Sequence, residues 1–400
     1  MKKFAKMSLV AAIAVAGVTS ANAGSLEDAV KNTEISGSAV YRYDDRSLEL
    51  NNGQSVSGAV GNDTTNNSYK VVVALKSKVN DDVAFKAVAI AASGIDGSMV
   101  GNETTTQAAP IANISLEKAN FIYTGIANTT IIAGKQGLGT PFTVAADSTD
   151  NDQIGDGILA ITTLGPVTLA GGYFNSTNLN QSGNVLIGNG SENVALIAAM
   201  GSIGPVALDA WYLDREDLYD VYTIGAKANF DLGGATLSEM ARHTELDLDT
   251  APLAIQMDNS LTQLKLGVKA GIFGGSIAYG WTDSEGGIAA EDNDATTGFQ
   301  GWGLNLNGVA DADLLKLNVN AQVTDTVNIA LNYNILDRND NIALGRITDI
   351  KDKEYYTQVT YNMSKNFSTY LRLGQVNYDN VGLTAVDKGT RGRIQIAYTF

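Results

Sequence analysis

Over residues 391–400 the side chains alternate, with Gly392, Ile394, Ile396, Tyr398 and Phe400 on one side and Arg391, Arg393, Gln395, Ala397 and Thr399 on the other. A two-residue period marks an extended strand with one apolar and one polar face. About ten such residues rise ~33 Å, and a tilt near ~45° brings that to the height of a bilayer's apolar band. A last strand of this kind has an edge to pair, and the first strand is the economical partner, which closes a barrel.

The same alternation recurs along the chain. Ile35, Gly37, Ala39, Tyr41 and Tyr43 interleave with Ser36, Ser38, Val40 and Arg42, and Tyr69, Val71, Val73 and Leu75 with Lys70 and Lys76. Thr262, Leu264, Leu266 and Val268 face away from Gln263, Lys265 and Lys269, and Val327, Ile329, Leu331, Tyr333 and Ile335 away from Asn328, Ala330, Asn332 and Asn334. The pattern predicts an all-β, transmembrane antiparallel β-barrel of about eighteen strands, an even number as bacterial barrels need. Residues 235–242 alternate poorly, and residues 301–308 read as loop. Short turns (80–82, 125–128, 165–166, 202–205, 231–234, 323–326, 364–366) alternate with long polar loops, such as 44–68, 136–155, 282–311 and 337–353. One rim should therefore carry short periplasmic turns and the other long extracellular loops. Outward aromatics form two girdles, with Tyr41, Tyr69, Tyr279, Trp281 and Tyr355 beside long loops and Phe121, Phe230, Tyr361, Phe367 and Phe400 beside short turns.

Targeting and composition narrow the setting. Lys2, Lys3 and Lys6, the apolar run 7–18 and Ala21-Asn22-Ala23 read as a signal peptide over residues 1–23, followed by a periplasmic lead-in over 24–34 and the barrel over 35–400. No later stretch supplies the ~18 consecutive apolar residues of a membrane helix. The net charge of −16 grows more negative once the leader's lysines are removed, which argues against nucleic acid and favours cations. The chain has no cysteine, so disulfides and thiol chemistry are excluded. The expected setting is the bacterial outer membrane, with the lipid bilayer as a partner and the assembly machinery reading the last strand through Phe400.

Apolar outside and Asn, Lys and Gln inside describe a wet lumen, so function should reside in what narrows it. The 136–155 loop and the strand after it carry Asp147, Asp150, Asp152 and Asp156. Folded into the barrel, this third long loop would set acids at the constriction, opposite inward Arg42, Lys70, Lys86, Lys265, Lys269 and Arg372. Facing rows of opposite sign orient polar solutes, and a ring of acids favours cations. Glu291, Asp292 and Asp294 read as a solvated loop tip. Asp150-Asn151-Asp152-Gln153-Ile154-Gly155 resembles the opening of an EF-hand, but Ile154 replaces a ligand and Ile161 stands where glutamate should close the site. Irregular Ca2+ coordination near Asp150 and Asp152 stays open, and no cofactor is required. His243 is the only histidine and no Gly-x-Ser-x-Gly elbow is present, which leaves a hydrolase without its usual parts. The expectation is passive diffusion of small hydrophilic solutes and ions, cations preferred. The rival readings are a structural or adhesive surface barrel that displays its loops, and a substrate-selective channel.

Three stretches carry a family resemblance: Ala133-Gly134-Lys135-Gln136 with Leu138, Thr140 and Asp156-Gly157; Leu26-Glu27-Asp28-Ala29-Val30-Lys31 leading to Tyr41-Arg42-Tyr43; and the ending Tyr398-Thr399-Phe400. They resemble the Campylobacter-type major outer membrane protein family of porins, distantly similar to OprD-type substrate-selective channels. The resemblance implies a homotrimer of eighteen-stranded barrels and a divalent cation held among acids in the pore, here only near the acidic loop.

Overall fold

In the computed structural model, the structure describes residues 32–50, 64–92, 98–101, 111–182, 190–249, 257–342, 345–346, 348–379 and 386–400. The expected signal peptide and most of the lead-in lie outside them. The chain runs through β1 (Thr33–Leu50), β2 (Thr64–Lys78), β3 (Val83–Ala92), β4 (Val100–Gly101), β5 (Asn113–Ile126), β6 (Thr129–Gly137), β7 (Ile154–Leu164), β8 (Val167–Thr177), β9 (Val194–Ile203) and β10 (Val206–Arg215). It continues through β11 (Tyr219–Asp231), β12 (Ala235–Leu248), β13 (Asp258–Ala270), β14 (Phe273–Thr282), β15 (Ala312–Gln322), β16 (Val327–Arg338), β17 (Ile350–Ser364), β18 (Phe367–Asn377) and β19 (Val386–Thr399). The two-residue β4 only adds to β2 within a loop, which leaves eighteen antiparallel strands around a closed barrel. The irregular 235–242 stretch is part of β12, and residues 301–308 do lie in a loop.

The seam is where the last strand meets the first. β19 pairs with β1 from Ser38 opposite Thr399 to Leu50 opposite Val386. The Gly37 amide donates to the Phe400 carbonyl at 2.9 Å, and the Phe400 amide returns the bond to Gly37 at 3.1 Å. Among the described strands, each of the eighteen in the wall pairs on both sides. Leu264, Leu331, Leu373, Ile394, Ile396, Tyr398 and Phe400 look outward and are exposed, as a lipid-facing surface requires.

Three expectations need correcting. Strands run past several loop boundaries, since β1 continues to Leu50, β2 starts at Thr64 and β12 reaches Leu248. On the long-loop rim, the β10–β11 connection is only residues 216–218. The inward face is also not uniformly polar. Leu196, Leu213, Val221 and Leu246 bury against Leu138, Phe142 and Phe174, and Leu261, Leu314 and Leu336 bury against Phe299, Leu304 and Leu306. These two dry patches lie beneath loops that fold into the lumen, and a third, Val88, Ile90 and Ala92 with Val72 and Ala74, lies on β2 and β3; much of the remaining inner face is polar or charged.

The orientation of the wall is testable on neighbouring residues. Outward Leu331 replaced by arginine should destabilise the folded barrel in lipid vesicles by about 2–4 kcal/mol, as a lipid-facing charge does near the bilayer centre. Inward Asn332→Arg should cost far less. Urea unfolding of both variants in vesicles measures the difference.

Candidate functional site

The loop between β6 and β7, residues 138–153, turns into the barrel and is latched to the wall by two lysines. Lys70 on β2 is fully buried, and its ammonium donates to the carbonyls of Asp147 and Asp150, each at 2.7 Å, and to Asp152 Oδ1 at 3.2 Å. Lys118 on β5 donates to Ala145 O and to Asp152 Oδ2, each at 2.6 Å. Asp152, 3% exposed, thus sits between two ammoniums, and its Oδ1 also accepts the Asp147 amide at 2.8 Å. Asp147 caps the loop's own turn through the Thr149 and Asp150 amides. The apolar side of the loop, Leu138 and Phe142, docks on the dry patch under β8–β12.

A second loop, residues 283–311 between β14 and β15, also enters the lumen. Glu291 and Asp292, expected at a solvated tip, are 1% and 2% exposed. Glu291 accepts from Arg215 Nη1 at 2.6 Å and from the Tyr219 hydroxyl at 2.7 Å, which ties the loop to β10 and β11. The Trp302 amide donates to Glu354 at 2.9 Å on the opposite wall. The two loops brace each other through their backbones, with the Glu291 amide on the Phe142 carbonyl and the Thr297 amide on the Pro141 carbonyl, each at 2.9 Å. Burial pushes the Asp292 carboxyl up to about 6; the Asp294 amide opposes the shift, while the nearby charges of Asp150, Asp294 and Asp147 add to it.

On the inner wall, β1, β18 and β19 present an arginine row. Arg46 lies opposite Arg391 in the β1–β19 register, and Arg393 opposite Arg372 between β18 and β19. Like charges directly across a strand pair repel. The repulsion is relieved by Asp44, which accepts from Arg393 Nε at 2.5 Å, and by the Trp302 indole, with the Arg372 guanidinium 5.1 Å and the Arg393 guanidinium 5.8 Å from its centroid. Arg42 donates to Gln395 at 2.9 Å and lies within electrostatic reach of Asp147.

The residues singled out from sequence therefore separate. Asp147 and Asp150 belong to the first inward loop, and Arg42 and Arg372 to the inner wall, with Arg42 within electrostatic reach of Asp147. Lys70 and Asp152 are buried together as a latch and do not line the pore. Asp156 is opposite Lys135 on the outward face, exposed, in step with outward Ile158. Lys86 is inward on β3 opposite Lys76, and Lys265 and Lys269 are inward on β13, toward the short-turn rim. Arg46, Arg391, Arg393, Lys118 and Trp302 were not singled out, although Arg391 and Arg393 share the parity of inward Gln395. His243 points outward, bonded to Thr262 Oγ1 at 2.7 Å and Glu245 Oε1 at 3.0 Å, away from the lumen.

A calcium ion does not fit Asp150 and Asp152 as they stand, because both Asp152 oxygens are taken by ammoniums and Asp150 Oδ1 accepts the Asn151 amide. Among the described residues no three Asp, Glu or His side chains converge as such an ion requires.

A closed wall of eighteen strands, apolar outside and with a charged lumen narrowed by inward loops, is the architecture of a bacterial outer-membrane porin. The family model of the Campylobacter major outer membrane protein matches residues 1–295, and the chain belongs to that family. Among solved structures, Pseudomonas aeruginosa OpdL is similar with a TM-score of 0.73 at 15% identity, over 92% of this chain and 99% of that one. Acinetobacter baumannii OccAB4 superposes with a TM-score of 0.70 at 14% identity, over 92% and 99% of the two chains. Pseudomonas aeruginosa OccK3 (OpdO) gives 0.68 at 18% identity, over 94% and 97%. These likenesses concern the fold. No curated protein matches.

The latch makes a direct prediction. Lys70→Met leaves Asp152 with one ammonium fewer in a buried site, a loss of about 3–5 kcal/mol for a broken buried pair. The loop should then detach in part, giving larger and noisier single-channel current than wild type in planar bilayers.

Proposed function

We propose that this porin passes small hydrophilic solutes and ions by passive diffusion, cations preferred, through an aperture crossed by a transverse field. What supports the reading is that Asp147 and Asp150 belong to one inward loop and Asp292 to the other, with Arg42 within electrostatic reach of Asp147 and with Arg372 and Arg393 on the lumen wall. Such a field orients dipolar solutes and opposes apolar ones, which must shed water without gaining a partner. The cation preference draws on the acids and on the net charge of −16. A trimer in the outer membrane, and delivery there by machinery that reads the strand ending in Phe400, belong to the same proposal. It assigns no catalytic role to His243 and no required metal.

Reversal potentials in a salt gradient test it. Replacing Asp147 and Asp150 by asparagine should lower the cation-over-anion permeability ratio by at least about 2–3-fold, since a single unit charge ~7 Å away in water already changes one ion's occupancy by that much. An unchanged potential would mean that these acids lie off the ion path.

The titration of Asp292 gives a second test. With its pKa raised to about 6, this carboxyl is charged at pH 7 and largely neutral at pH 5. Cation preference should therefore fall as pH drops through that window, and Asp292→Asn should remove the step while leaving the ratio at pH 5 nearly unchanged.

A further inference from the structure

Below the aperture, toward the short-turn rim, the inner faces of β12–β16 line an open recess of about 470 Å³, with Val268, Ile272 and Phe273 at its edge, in the size range of small-ligand sites. Its wall is a carpet of amides held in place by one another. Asn320 Nδ2 donates to Asn318 Oδ1 at 2.9 Å, Asn318 Nδ2 to Asn332 Oδ1 at 2.8 Å, and Asn328 Nδ2 to Gln322 Oε1 at 3.2 Å. Each amide has two donors and two acceptor positions, so these bonds fix the side chains and leave the rest of their capacity facing the lumen.

The floor is bare backbone. A Cβ on Gly274 would fall 2.9 Å from Asn320 Oδ1, and one on Gly267 2.5 Å from Ser238 Oγ. Any side chain there would push into the polar groups that line the cavity. At one edge stand Lys265 and Lys269, on the same face of β13, and among the described residues neither ammonium has a hydrogen-bond or salt-bridge partner. Lys316, next along the wall, differs, since its ammonium donates to Gln300 O and lies 4.6 Å from the Phe299 ring centroid. Two uncompensated positive charges beside a preorganised amide surface are unusual in so acidic a chain, and the transverse field of the aperture does not account for them.

From this geometry we infer that the carpet is a solute-binding site for a small polyhydroxylated molecule with one anionic end, a sugar bearing a carboxylate or a phosphate. Amides and hydroxyls that both donate and accept match sugar hydroxyls, which do the same. The ammoniums take the anionic end by charge-assisted hydrogen bonds. Binding at such a transit site is weak and fast, which lets the solute leave. The inference rests on the porin reading but adds a saturable site to it.

Single-channel recording on the purified full-length protein tests it, with glucuronate, glucose 6-phosphate, glucose or acetate added on the side of the short turns. Glucuronate, glucose 6-phosphate or both should reduce the current saturably, at concentrations at least fivefold lower than glucose or acetate. Whichever anionic sugar is stronger tells whether carboxylate or phosphate is the preferred end. Lys269→Gln should bring the anionic sugars to the level of glucose, and Asn320→Ser or Asn318→Leu should bring glucuronate to the level of acetate. Each variant should still open stable channels in plain potassium chloride, which shows an intact barrel. Neither anionic sugar stronger than both glucose and acetate, or a block indifferent to all three substitutions, overturns the site while leaving the porin reading standing. Absence of conductance in plain salt from the unmutated protein would overturn the porin reading itself.

Discussion

In hydrocarbon, a backbone amide or carbonyl has no water to bond, and each one left unpaired costs several kcal/mol. That constraint organises everything else in this chain. It forbids a free strand edge, so the last strand must return to the first, and the paired Gly37 and Phe400 amides and carbonyls complete the ring. Once the ring closes, the two-residue period divides the side chains between lipid and lumen. The outer face then carries Leu331, Ile394 and Ile396, and the inner face holds the charges that act on solutes.

The lumen is wide enough to hold protein as well as water, and the two inward loops show how a polar interior accommodates chain. Each loop sits on a dry patch made by inward leucines and valines and is pinned at its edges by buried charges, Lys70 and Lys118 on Asp152 in one case and Arg215 on Glu291 in the other. Buried ion pairs gain little net stability because both charges lose water. Their strength is directional: a carboxylate held from two sides can occupy one place only. The second loop thereby brings Trp302 against the arginine row, whose mutual repulsion is relieved by Asp44 and the Trp302 ring.

Much of this was legible in the sequence. Alternation in β13, β16 and β19 showed the strands, their faces and the closure, and the run of acids after Lys135 marked an unusual loop. The irregular β12 was harder to read because its outward face carries Glu239, His243, Glu245 and Asp247. Asp152 was misread as a pore acid because its two partners, Lys70 and Lys118, are distant in sequence and meet it only through strand pairing. Asp156 could have been placed correctly, since it shares the parity of Ile158, a residue that belongs outside. The second loop was missed for a physical reason: Ile288, Ala289, Phe299, Leu304 and Leu306 are scattered among glycines and asparagines, so no period announced that the segment is buried. Their presence in a supposedly solvated loop was the available signal.

The two loops are joined to each other by main-chain bonds, from Glu291 to Phe142 and from Thr297 to Pro141. Peptide groups are common to every residue except that proline lacks the donor, so this joint survives most side-chain replacement. A lineage can exchange the chemistry displayed around the opening while the frame that holds it stays put.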